Sequence, residues 1–134
     1  MSVTLGYTIF YVDDVRSTLD FYKSAFGLPE KFVTPDGDYG EVDTGATTLS
    51  FASNTLAESN LSHAGGFIRL DPASPPPGIS ITLITTDVAA TVQAAIESGA
   101  RPYAEPVDKP WGQTVAYVLD PNGVLLEVAT PVST

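Results

Sequence analysis

The chain has no cysteine, which removes disulfides, thiolate nucleophiles and thiolate metal sites together. It has a single histidine, His63, in a stretch without periodicity, so no Ser-His-Asp relay can be built with anything to orient the base. Basic residues are scarce: six Lys plus Arg stand against sixteen Asp plus Glu, a net charge of −10. Such a surface repels phosphate backbones and excludes nucleic acid from the expected partners. What the acidity does favour is solubility and, as a bias, a cationic ligand. No apolar run approaches the ~20 residues of a membrane span, so no membrane partner is expected. The opening MSVTLGYTIFYVDD shows no basic region and no small-residue cleavage site, so the expectation is no export signal and a cytoplasmic location. Phosphate-cradling glycine runs are also missing.

What is present is a repeated pattern. At 134 residues and 43% hydrophobic content, the chain is one domain or two small halves, able to bury roughly two thirds of its unfolded surface. Val3 to Val12 is rich in β-branched and aromatic residues and reads as a strand. Asp14 then stands as an N-cap. Behind it Val15, Thr18, Leu19, Tyr22 and Phe26 form one helical stripe, which Gly27 closes. Short strands follow at about Glu30 to Val33, Tyr39 to Val42 and Ala46 to Ala52, separated by PDGD and DTG turns. Ser53 to Gly78 is a long connector with a short helical turn near Asn54 to Asn60.

The second half starts over. Tyr7 falls on Ser80, Asp14 on Asp87 and Leu19 on Val92, a constant shift of 73 residues. Asp87 should cap a helix as Asp14 does. Further on, Tyr39-Gly40-Glu41 aligns with Trp111-Gly112-Gln113, and the Asp-Thr-Gly turn with Asp120 to Gly123. Two βαβββ units in tandem follow, at about 3–52 and 79–131, each with an amphipathic helix over one face of a four-stranded sheet. Along the last strand, Val124, Leu126 and Val128 alternate with Leu125, Glu127 and Ala129. If the helix takes the first set, Glu127 looks out from the uncovered face, where an acid needs a partner, a ligand or water. Tyr7, Ile9 and Tyr11, with Ser80, Thr82 and Ile84, should share that space. A catalytic carboxylate pair would need a second convergent acid, which the pattern does not supply.

The run Val12, Asp14, Thr18, Phe21 and Tyr22, the doubled βαβββ pattern, and the closing DPNGVLLEVATP preceded by PWG resemble the vicinal oxygen chelate superfamily of glyoxalase I, bleomycin-resistance proteins and extradiol dioxygenases. The resemblance implies an α+β fold with a cup-shaped mixed sheet, and a homodimer. It also implies four metal-ligand positions: Tyr7, a residue around Leu49 to Phe51, Ser80 and Glu127. Only Glu127 is a good ligand there, so no cofactor is expected. A divalent metal would require Glu41 or Tyr7 to rebuild the site. The implied function is therefore that of the metal-free, bleomycin-resistance branch: a small-molecule binding protein holding a hydrophobic or cationic aromatic ligand. Its expected contacts are Tyr7, Ile9, Tyr39 and Glu41 with Leu49 and Phe51 from the first half, and Ser80, Trp111, Gln113 and Glu127 from the second. The alternative is a glyoxalase-like lyase or isomerase using Glu127 as general base or metal ligand.

Overall fold

The computed structural model describes residues 2–132. The described residues divide into two compact units, residues 2–23 with 27–69, and residues 24–26 with 70–132. Each holds one four-stranded sheet.

The first unit holds β1 (Tyr7–Val12), α1 (Val15–Phe26) as far as Lys23, β2 (Glu30–Val33), β3 (Tyr39–Val42), β4 (Thr48–Ser53) and α2 (Asn54–Leu61). Its sheet has the order β1-β4-β3-β2, with β1 parallel to β4 and the other pairs antiparallel. Asp14 caps α1, its carboxylate accepting from the Ser17 N–H, and Gly27 ends the helix in the left-handed region at φ 69°. Of the expected stripe, Val15, Thr18, Leu19 and Tyr22 are buried and Phe26 is half-buried. Their partners are fixed by register. Gly40 pairs Phe51, and Phe51 pairs Phe10, so these three share the face under the helix. Phe51 stacks on Tyr22 at 5.0 Å between centroids. Gly40 is where the helix comes closest, since a Cβ there would meet Leu19 Cδ1 at 2.7 Å. The opposite face, uncovered by α1, carries Tyr7, Ile9 and Tyr11 from β1, Ser50 from β4, and Tyr39 and Glu41 from β3.

The second unit repeats the order: β5 (Ser80–Ile84), α3 (Val88–Glu97), β6 (Arg101–Asp108), β7 (Thr114–Leu119) and β8 (Leu125–Ala129). The sheet order is β5-β8-β7-β6, with β5 parallel to β8. Asp87 caps α3 by accepting from the Ala90 N–H. Val88 and Val92 pack on Ala116 and Val128, so Leu126 and Val128, both fully buried, lie beneath the helix as alternation requires. The connector closes over the β7–β8 turn. Gly123 sits at φ 96°, and a Cβ there would lie 3.1 Å from the Asp71 carbonyl oxygen.

Two expectations change and one strand gains its bounds. β1 begins at Tyr7 rather than Val3, and β6, the strand that the βαβββ pattern requires but leaves without bounds, runs through Pro102 and Pro106. It is an edge strand, where proline is tolerated. The alignment of Tyr39-Gly40-Glu41 with Trp111-Gly112-Gln113 is also displaced. Tyr39 to Glu41 pair with Ala52 to Ser50, and the residues in the same places of the second sheet are Val115 to Tyr117, which pair with Ala129 to Glu127. Trp111 and Gly112 form a turn instead, closed by the Gly112 N–H donating to the Lys109 carbonyl at 2.9 Å with Gly112 at φ 98°.

Candidate functional site

Glu127 lies in the middle of β8, with Thr82 of β5 on one side and Tyr117 of β7 on the other. All three project from the face opposite α3. The Thr82 hydroxyl donates to Oε1 at 2.7 Å, and the Tyr117 hydroxyl donates to Oε2 at 2.7 Å. Both carboxylate oxygens are thereby fixed by neutral donors from adjacent strands. A carboxylate has about four acceptor positions, so two remain for a ligand. The bond to Glu127, with some burial, pushes the Tyr117 hydroxyl above its ordinary pKa and keeps its proton in place as donor. Among the described residues, no Lys, Arg or His stands within ion-pair distance of Glu127.

The first unit carries the same three kinds of group in a different arrangement. Ser50 occupies the place that Glu127 takes in the second sheet, since Ile9 pairs Ser50 as Thr82 pairs Glu127. The acid has moved one strand over, to Glu41, directly across from Ser50. The Tyr39 hydroxyl lies 2.7 Å from Glu41 Oε2 and 2.8 Å from Ser50 Oγ. A phenol has one proton and the carboxylate can only accept, so Tyr39 donates to Glu41 and Ser50 donates to Tyr39. Burial, together with the Glu41 charge and against the Ser50 bond, pushes Tyr39 up to about 12. The raised value sets an alkaline limit. The contribution to stability is complete below the unfolded pKa of about 10 and is lost as pH rises from there through about 12. Spectrophotometric titration near 295 nm should show Tyr39 ionising only near pH 12, and Glu41→Gln should bring that transition down.

The expected contacts divide by face. Tyr7, Ile9, Tyr39 and Glu41 lie on the uncovered face of the first sheet, and Ser80 and Glu127 on that of the second. Leu49 and Phe51 do not. Both are buried beneath α1, because the parallel register with β1 turns Ser50 outward and its neighbours inward. Trp111 is on the β6–β7 turn, 59% exposed, with its indole N–H donating to Gln113 Oε1 at 2.7 Å. Gln113 in turn donates to the Thr130 carbonyl at 2.8 Å. That amide ties a turn to the chain end and belongs to structure. His63 is exposed just beyond α2. Tyr117, the residue that sequence reasoning missed, could be found by counting outward from the DPNG turn: Leu119 faces Leu125, and two residues further Tyr117 faces Glu127.

The donor set does not fit a resident divalent ion. Among the described residues no three His, Cys, Asp or Glu side chains come together in a way that could hold one. The implied ligand positions present a phenol at Tyr7, hydroxyls at Ser50 and Ser80, and a single carboxylate, whereas a catalytic metal wants about three good ligands and an open position. Glu41, whose Oε2 accepts from Tyr39 and whose Oε1 lies 3.9 Å from Lys31, adds one carboxylate to the first sheet but, among the described residues, no group of three such ligands.

Two βαβββ units, each with a helix on one sheet face and an acid among hydroxyls on the other, define an α+β protein of the glyoxalase fold. The chain belongs to the Glyoxalase/Bleomycin resistance protein/Dioxygenase superfamily, whose model matches residues 4–128. It is similar to an uncharacterized protein of Mycobacterium bovis, 30% identical over 121 residues that cover 90% of this chain and 79% of the relative. Among solved structures it is similar to a glyoxalase-related enzyme from Fulvimarina pelagi, with TM-score 0.77, 16% identity, and 97% and 89% of the two chains covered. A glyoxalase/bleomycin resistance protein/dioxygenase family enzyme from Burkholderia phytofirmans gives TM-score 0.76 at 21% identity, covering 96% and 98%. At these identities the structural likeness speaks for the fold alone. Among the described residues, no helix is long and apolar enough to cross a membrane.

Proposed function

We propose that this chain is a small-molecule binding protein that holds a hydrophobic or cationic aromatic ligand against the sheet face carrying Glu127. The observation behind this reading is the carboxylate fixed by Thr82 and Tyr117 with, among the described residues, no basic side chain within ion-pair distance. An acid pinned by neutral donors needs no reorganisation to receive a cation, and the net charge of −10 draws cations to the surface. The β5 residues Ser80 and Ile84 extend the same face and supply a hydroxyl and apolar surface beside the acid. A homodimer, which the resemblance implies, belongs to the same proposal.

Isothermal titration with benzamidinium and its neutral analogue benzamide isolates the charge. A charge-assisted hydrogen bond contributes about 1.5–3 kcal/mol, so benzamidinium should bind about 10- to 100-fold more tightly than benzamide. Glu127→Gln, which keeps both hydroxyl contacts available, should erase that ratio. Equal affinity of the two compounds for the unaltered protein would refute the reading.

A second reading draws on the same geometry. A carboxylate oriented by two hydroxyls is also a positioned general base, which would suit a lyase or isomerase that removes a proton α to a carbonyl. Solvent deuterium entering a 2-oxoaldehyde thiohemiacetal, followed by NMR and lost in Glu127→Gln, would favour it over simple capture.

A further inference from the structure

The geometry points to a releasable strap in the connector, residues 67–69, which lays Phe67 over Tyr11 and is latched by Arg69. Phe67 meets the Tyr11 ring edge-on, 4.9 Å between centroids at an interplanar angle of 63°. Two residues further along each segment, Arg69 stands 3.7 Å from the Asp13 carboxylate and also pairs with Glu58 of α2. Phe67 therefore answers Tyr11 as Arg69 answers Asp13, the spacing of two extended segments lying side by side. Yet no backbone hydrogen bond joins Phe67 to Leu70 with the backbone of any other described residue. Side chains alone hold the strap down.

The latch sits on a prepared surface. Asn54 and Glu58 are four apart in α2 and so share one face of it. Asn54 is buried, and its side-chain amide donates to Asp13 Oδ1 at 2.7 Å, which steadies the acid that Arg69 meets. The guanidinium then lies between two carboxylates. These groups are open to water, Asp13 to 83% and Arg69 to 55%, so each pair is weak and salt screens it. Ile68, between the two anchor points, is 97% exposed and adds no hold. At the near end the Gly66 N–H donates to the Leu61 carbonyl at 3.1 Å, tying the strap to α2. A segment held by one ring edge and exposed charges, with no ladder to break, opens locally at small cost. Its release bares the Tyr11 end of the uncovered face of the first sheet, so the strap is an autoinhibitory cover that ionic conditions work. It lies within the first unit and does not draw on Glu127.

The test follows the Tyr11 ring resonances by NMR in the full chain. Arg69→Gln should move them, by lifting the Phe67 ring away, toward the positions they take in Phe67→Leu. Raising sodium chloride from about 0.05 M to about 1 M should move those of the unaltered protein the same way and leave those of Arg69→Gln in place. Trypsin supplies a rate. Cleavage after Arg69 needs the guanidinium free of both acids, so Glu58→Gln should be cut there about two- to fivefold faster than the unaltered protein. Glu58 and Arg69 are exposed enough that their variants should fold, as circular dichroism would verify. Tyr11 resonances that ignore Arg69→Gln would overturn the proposal. So would a salt response that persists in that variant, or a cleavage rate that Glu58→Gln leaves unchanged.

Discussion

Replacing Phe51 by alanine should lower the free energy of unfolding by about 3–5 kcal/mol while leaving the affinity of the folded protein for a cationic ligand unchanged. The size follows from where the ring sits. Phe51 is fully buried, stacks on Tyr22 of α1 at 5.0 Å, and meets Phe10 of β1 at 6.4 Å. Truncation removes the contact between helix and sheet at its centre and leaves a void that backbone on two sides keeps open. Aromatic pairing adds about 0.5–1.5 kcal/mol beyond the area lost. Urea unfolding with the slope held fixed measures the loss, and hydrogen exchange should place it in β1, β4 and α1. A variant of near-normal stability that had lost ligand binding would return Phe51 to the ligand face and contradict the register described above.

Replacing Asp120 by alanine should cost about 2–4 kcal/mol, more than a surface turn would suggest. Its side chain is fully buried, and one carboxylate oxygen accepts from the Asn122 N–H at 2.9 Å and the Val124 N–H at 2.8 Å. The Asp120 backbone is engaged as well, donating to the Val124 carbonyl and accepting from the Gly123 N–H. Alanine would strand two N–H groups in a place where water cannot easily replace the lost acceptor. Asparagine keeps an oxygen in reach and should recover about half of the loss. The same turn sets the register of β7 against β8 and so aligns Tyr117 with Glu127. Asp120→Ala should therefore weaken binding at Glu127 as well as stability, and a destabilised variant with normal ligand affinity would separate the turn from the site.

Much of this was legible in the chain. The stripe from Val15 to Tyr22 with Asp14 before it and Gly27 after it leaves little choice of element, and β2 and β3 begin and end where turn chemistry places them. The face of Glu127 followed from alternation, because Leu126 and Val128 could hardly be anywhere but under a helix. β4 was harder. In Leu49-Ser50-Phe51 all three residues are buried, Ser50 because Tyr39 covers it, so neither polarity nor periodicity separates the faces. Only pairing with β1 does. The Trp111-Gly112 likeness to Tyr39-Gly40 misled for a physical reason: both glycines precede an outward polar residue, but Gly40 admits a helix while Gly112 closes a turn. The movement of the acid from the β4 place to Glu41 on β3 leaves no local signature, since it exists only in the register between two strands.

The most direct test of ligand capture at Glu127 is a crystal structure of the protein grown with both benzamidinium and manganese. The expected result is an amidinium within hydrogen-bond distance of the Glu127 carboxylate, with Thr82 and Tyr117 still donating to it. A manganese ion coordinated there by Glu127 and at least two further protein atoms would contradict it.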